Sequence, residues 1–395
     1  MNKTQQNGII MLIKSAVSGK ACVLPEGFEL KEAAEYAAKS QISSMLYYGA
    51  VNCGISQESE VMRALFLQTC SAVALSEQQA FEFNKITGAF NENGIEYMPL
   101  KGILLKRIYP KPDMRSMSDI DILIKTEQYE KIKPLLLSMG YTEKKESDHE
   151  LPWRKRNIYV ELHKRIISTY NKDFYRYFGD GWKLGVPDKN HPCGYEMRPE
   201  DTFVYLFTHF AKHYRSGGIG IKHMTDLWVY LKKNTMNSDY IEEQLSALRL
   251  SEFYKNVLRT LKVWFAEAEP TEITDFITDV IFNSGSYGNH RDHIAGLMIR
   301  KQKTTGRTRG TRVSEIVKTV FLPYNYMREK YPVLNKVPVI LPFMWIYRGV
   351  ATVLFYPKKI KRFYNDARLM SNDNTKAYHS ALKLVGLDYN YGDEQ

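Results

Sequence analysis

The sequence predicts an α+β fold, a small mixed sheet flanked by N- and C-terminal helical regions. Three observations predict it. Residues 28–93 carry Ala, Leu, Met and Gln at helical spacing, with no strand-like alternation. Between residues 95 and 163, short alternating apolar runs stop at Gly or Pro. From residue 199 onward the spacing becomes helical again. A chain of 395 residues, 44% of them hydrophobic, has material for two or three domains, each with its own core. We expect an N-terminal helical region at 1–93, a sheet-bearing core at 94–198, a helical domain at 199–299 and a basic, aromatic-rich helical region at 300–395.

The elements follow in order. Met1–Asn7 leads into a brief apolar stretch before Lys14, which reads as a helix start and not a signal peptide. No uninterrupted apolar run reaches bilayer length. Ile95–Leu100 reads as a buried strand ended by Pro99 and Gly102, and Ile103–Ile108 as a helix. The loop Tyr109–Ser118 leads to an apolar strand through Ile124. Thr126–Met139 is an amphipathic helix with the stripe Ile132, Leu135, Leu136 and Met139, stopped by Gly140. Tyr141–Lys145 is expected as an outer strand and Asn157–Lys164 as a second alternating one. Ser216–Gly220 breaks the helical stretch between Asp201 and Leu231. The four cysteines lack C-x-x-C spacing, which argues against a disulfide framework or zinc site and fits a reducing, cytoplasmic location.

Chemistry is legible at one place. Asp119 and Asp121 share one face of a strand, while Ile120, Ile122 and Ile124 take the other. Adjacent carboxylates repel unless a cation lies between them, and such oxygen ligands suit Mg²⁺. Roughly one Asp-x-Asp arises by chance in a chain this long, so the neighbours carry the weight. Gly102 permits a close backbone approach or a positive-φ turn beside Lys101, a phosphate-binding arrangement. Arg115 is either a phosphate clamp or a salt-bridge partner of Asp113 or the aspartates. Ser116 and Ser118 can donate to phosphate or shape the turn. Glu161 sits mid-strand, where an unpaired carboxylate is costly. A neighbouring strand that aligned it with the aspartates would make it a third ligand; otherwise it pairs with Lys164 or Arg165. His209 and His213 share a helix face, but no third zinc ligand stands near them in sequence.

Taken together, Leu100-Lys-Gly102, Tyr109-Pro110, Arg115, Asp119-Ile-Asp-Ile-Leu123 and Glu161-Leu-His163 resemble the uncharacterised nucleotidyltransferase family of the polymerase-β-like superfamily. The match is most specific over residues 95–165 and extends weakly from about residue 30 to 235. The resemblance implies a nucleotidyltransferase core in which Asp119, Asp121 and Glu161 are the catalytic, metal-holding carboxylates. Lys101, Gly102, Arg115, Ser116 and Ser118 would meet the nucleotide. His163, His209, Lys212, His213 and Asp226 are secondary candidates. The implied reaction is Mg²⁺-dependent, with Mn²⁺ as a substitute, and moves an NMP from an NTP to a hydroxyl acceptor. A sugar, a small molecule, a lipid-linked intermediate, a protein hydroxyl and RNA all remain open as that acceptor. The superfamily's usual Gly-Ser is replaced here by Lys101-Gly102-Ile103, so Lys101 or Ser116 must stand in for the missing hydroxyl. The alternative is a catalytically silent protein of this fold that binds a polyanion or membrane.

Charge is uneven along the chain. Arg300–Arg362 holds 15 Lys and Arg against two acids, whereas the whole chain is +11. Arg300–Arg312 reads as a mobile loop. Val337–Tyr356 is apolar and aromatic, and Pro357-Lys-Lys-Ile-Lys-Arg362 follows. Three readings fit this segment. One is a helical hairpin packed on the core. Another is a peripheral contact with an anionic membrane at the inner membrane surface, and nucleic acid ranks behind it.

Overall fold

The computed structural model describes residues 1–284 and 290–305 and, in pieces, residues between 321 and 389. Its sheet has the strand order β1–β2–β5–β4–β3, with β1 at Tyr97–Pro99, β2 at Ile120–Ile124, β3 at Thr142–Glu143, β4 at Glu150–Lys155 and β5 at Ile158–His163. β2 and β5 are parallel; every other pair is antiparallel. The sheet is therefore mixed, and helices flank it on both sides in sequence: the α+β class holds.

Parallel pairing places Asp121 opposite Glu161, with Ile120 opposite Val160 and Ile122 opposite Leu162. Because side chains alternate, this register sorts the central strands into an apolar and a polar face. The apolar face carries Ile120, Ile122, Ile124, Val160 and Leu162. It packs against helix α4 (Glu60–Glu92) through Phe83, Ile86 and Phe90, and against α6 (Tyr129–Ser138) through Ile132 and Leu136. Asp121, Glu161 and His163 share the opposite face.

Four helices precede the sheet: α1 (Lys3–Ser18), α2 (Leu30–Ser40), α3 (Ser43–Asn52) and α4. Asn2 caps α1 by accepting from the Gln5 N–H at 2.9 Å, and Ser59 caps α4 by accepting from Met62. The 33 residues of α4 span about 50 Å. Its Met62 and Leu65 join the helical core and its Phe83, Ile86 and Phe90 join the sheet core, so one helix ties the two together. The helical core is continuous from α1–α3 through α7 (Lys172–Phe178) to α8 (Pro199–Tyr214), α9 (Ile221–Lys233), α10 (Ser238–Ala247), α11 (Ser251–Phe265) and α12 (Glu272–Asn283).

Several local expectations shift. Helix α5 covers only Gly102–Lys106, shorter than the predicted Ile103–Ile108 helix. A 3₁₀ turn at Thr126–Gln128 precedes α6, and Gly140 stops the segment at φ 85° as predicted. The outer strand exists as two residues, β3. Strand β4 has no counterpart among the predicted elements. The polar segment expected as a loop from Arg300 begins inside α13 (His290–Thr305), while residues 306–312 and 357–362 lie outside the described residues.

Ile122 is fully buried at the centre of β2. Ile122→Ala should cost about 2–5 kcal/mol, read as a lowered denaturation midpoint in urea. An unchanged midpoint would contradict the packing of this face.

Candidate active site

The polar face of the sheet opens into a cavity of about 570 Å³. Asp119, Asp121, Glu150 and Glu161 line one part of it, and α8 and α9 line the facing part through His209, Lys212, His213, Lys222 and His223.

Asp121 is the hub. Its Oδ1 accepts from Lys101 Nζ at 3.0 Å and from His163 Nε2 at 2.7 Å. Burial pushes the Asp121 carboxyl up, but Lys101 and His163 outweigh it and hold the group well below the usual carboxylate range. Burial also pulls the Lys101 ammonium down, and the charge of Asp121 more than restores it. His163 is fully buried, and burial, aided by Lys101, lowers its affinity for a proton. The neutral ring then donates from Nε2 to the carboxylate.

The backbone holds Lys101 in this position. Lys101 has φ 45° and ψ −113°, a positive-φ conformation that a non-glycine residue adopts at a cost of about 1–3 kcal/mol. Of the two roles the sequence left open for Gly102, close approach and positive φ, the structure gives it the first: a Cβ there would lie 2.7 Å from Met117 Sδ. The Leu100 N–H donates to the Asp121 carbonyl at 3.0 Å and pins the turn against β2.

Asp119 and Glu161 respond in the opposite way to Asp121. Burial first, and then the charge of Asp121, pushes Asp119 up to about 6. Burial, followed by the charges of Asp119, Glu150 and Asp121, pushes Glu161 up to about 8. Glu150 enters through β4, where pairing with His163 puts it on the same sheet face. A hydrogen bond from His149 at 2.9 Å, against the cost of burial, holds Glu150 down to about 2. The sequence gave no signal for Glu150, because β4 went unseen.

The other candidates separate. Arg115 does not pair with Asp113, Asp119 or Asp121. Its Nε donates to both oxygens of buried Asp226 at 2.7 and 2.9 Å, and Tyr109 donates to the same carboxylate at 2.8 Å. The pair ties the loop before β2 to α9, and both residues border the cavity. Ser116 donates to the Gln41 carbonyl at 2.6 Å and is absent from the cavity lining; Ser118 is exposed at its edge. Lys222 reaches Gln41 Oε1 at 3.1 Å, and burial, with Arg115 beside it, pulls its ammonium down to about 7. The Nε2 atoms of His209 and His213 lie 3.2 Å apart.

Residues 26–266 match the model of a family described as an uncharacterised nucleotidyltransferase. The chain belongs to this family. No curated protein and no solved structure matches it. In this nucleotidyltransferase family member the carboxylate face can be tested for a divalent cation. Asp121, Glu161 and His163 offer ligand atoms within 4.8 Å of one another, and so do His149, Glu150 and His163. Asp119 lines the cavity but belongs to neither group. Burial, and then the neighbouring carboxylates, raise Asp119 and Glu161, and a cation between them would relieve both. Asp121 and Glu161 supply carboxylate oxygens of the kind a hard cation of the Mg²⁺ type takes, while His163 and His149 add imidazole nitrogens.

Glu161 offers a direct check on this crowding. Its proton affinity is raised on folding, so its contribution destabilises the metal-free protein progressively from about pH 4.5 to about pH 8. In EDTA, the melting temperature of Glu161→Gln relative to the parent should therefore rise across that window. A difference that stays flat with pH would contradict the crowding.

Proposed function

We propose that the chain transfers an NMP from an NTP to a hydroxyl acceptor and releases pyrophosphate. The carrying observation is the β2–β5 register that sets Asp121 beside Glu161, with Lys101 bonded to Asp121. When bound, Mg²⁺, or Mn²⁺ in its place, held by Asp119 and Asp121 with Glu161 in reach as third ligand, would neutralise charge on the triphosphate and the acceptor oxygen.

The chain's own residues account for the rest. The acceptor oxygen forms a bond to the α-phosphorus as the bond to the β-phosphate bridging oxygen breaks, and pyrophosphate leaves. The hydroxyl proton passes to the ionised Glu161 carboxylate, which lines the cavity beside Asp121. Lys101 faces the developing negative charge from a fixed position, so little reorganisation accompanies the reaction. Ser118 supplies a hydroxyl at the cavity edge. His209, Lys212 and His213 supply donors from the opposite wall. The Arg115–Asp226 pair acts as a positioning unit: it holds the loop that carries Ser118 and Asp119 against α9.

The test is incubation with each labelled NTP and Mg²⁺ in a cell extract, following pyrophosphate release and nucleotide incorporation by mass spectrometry. Asp121→Asn and, independently, Asp119→Asn should lower the rate about 100-fold or more. Absence of NTP binding to the parent, or equal rates in parent and variants, would overturn the reading.

A further inference from the structure

Cys22 and Cys53 stand 31 residues apart in the sequence, yet the fold brings their Sγ atoms to 2.7 Å of one another. Two packed helices hold them there. Cys53 follows the last residue of α3, and Cys22 lies in the coil after α1. The helices touch backbone to backbone at Gly49, where a Cβ would collide with the Leu12 carbonyl oxygen. Asn52 Nδ2 donates to the Ser15 carbonyl at 3.1 Å, and the Cys22 N–H donates to Cys53 Sγ at 3.2 Å. The backbone of one cysteine thus meets the sulfur of the other, which fixes the pair. No C-x-x-C spacing announces it. Cys70 lies on α4, and the Cys193 N–H donates to Asn91, so neither joins the pair.

The pair is within reach of small solutes. Both cysteines are half-buried, and Cys22 borders an open cavity of about 1400 Å³ shared by α1, α9 and α11. Burial, and then the Cys53 sulfur, push the Cys22 thiol up to about 12, so its reactions are slow at neutral pH. The segment between the two cysteines carries α2 and α3. It also carries Gln41, whose carbonyl accepts from Ser116 at 2.6 Å and whose Oε1 accepts from Lys222 at 3.1 Å. A bond across the ends of this segment would tighten a piece of chain that touches both the loop before β2 and the α9 wall of the carboxylate cavity.

We propose that Cys22 and Cys53 form a reversible disulfide, made by a low-molecular-weight disulfide and undone by a thiol reductant. The Cys22 thiol gives its proton to solvent, and its thiolate attacks one sulfur of the oxidant. The oxidant's S–S bond breaks and one small thiolate leaves. Cys53 loses its proton in turn and attacks Cys22 Sγ; the mixed disulfide breaks and the second small thiolate leaves. Two protein thiols are oxidised, and one small disulfide is reduced to two thiols. The site stands apart from the carboxylate face and is independent of the transfer reaction.

The full chain, reduced and freed of reductant, is incubated overnight with oxidised glutathione at about pH 8, where a larger fraction of thiol is ionised. Free thiols should fall from four to two and the intact mass by two hydrogen atoms. A non-reducing peptide map should show the Cys22–Cys53 link, and dithiothreitol should restore all four thiols. The urea midpoint of the oxidised chain should exceed that of the reduced chain, because the closed loop restricts the unfolded state. Cys53→Ser should stop at a glutathione adduct on Cys22, with a circular dichroism spectrum matching the parent. Four thiols that persist, glutathione held by the parent without a link, a link that involves Cys70 or Cys193, or a midpoint lowered by oxidation would overturn the proposal.

Discussion

The in-register parallel pairing of β2 with β5 is the constraint on which the rest of the site depends. A one-residue slip in either strand would bury its carboxylate against Phe83, Ile86 and Phe90 and expose its apolar residues. The isoleucines of β2 and the Val160–Leu162 pair of β5 oppose that slip, because each loses burial if the strand turns over. Apolar packing on one face thus fixes the carboxylates on the other. This is how a small sheet brings together acidic groups that would separate in solution.

Electrostatics then gives these carboxylates different characters. Asp121 has both a lysine and a histidine on one oxygen, so it stays ionised even when buried. Asp119 and Glu161 lack comparable compensation and hold protons more tightly. Breaking the Lys101–Asp121 pair would leave a buried charge uncompensated, a loss of about 3–5 kcal/mol. The helical half is fastened to this face by a second buried pair, Arg115–Asp226, so α9 and the loop before β2 stay in register. The cavity is built by both halves of the chain, since the sheet supplies the acids and α8 and α9 supply most of the bases.

Much of this was legible in the sequence. Alternation marked β2 and β5 and placed Asp121, Glu161 and His163 on the polar side, and Lys101 was identified as the cation beside them. The amphipathic stripe and Gly140 defined α6. What was missed has physical causes. Strand β4, Glu-Leu-Pro-Trp-Arg-Lys, carries charges and Pro152 and so lacks a clean alternation; its pairing with β5 sustains it, and Glu150 came with it. The partner of Arg115 lies 111 residues away on α9, a distance no local pattern spans. Ser116 is close in sequence to the aspartates, yet its hydroxyl serves the Gln41 carbonyl. Gly102 was read as a residue free to take a positive φ, whereas the fold puts the positive φ on Lys101, whose ammonium meets Asp121.

The central claim is that this carboxylate face holds a divalent cation together with a nucleoside triphosphate. The most direct measurement is anomalous diffraction from crystals grown with Mn²⁺ and an NTP analogue whose α–β bridge cannot be cleaved. The account predicts a manganese peak in contact with Asp119 and Asp121 oxygens, with the triphosphate in the cavity beside Lys101. A cavity without manganese, or an analogue bound elsewhere on the protein, would contradict it.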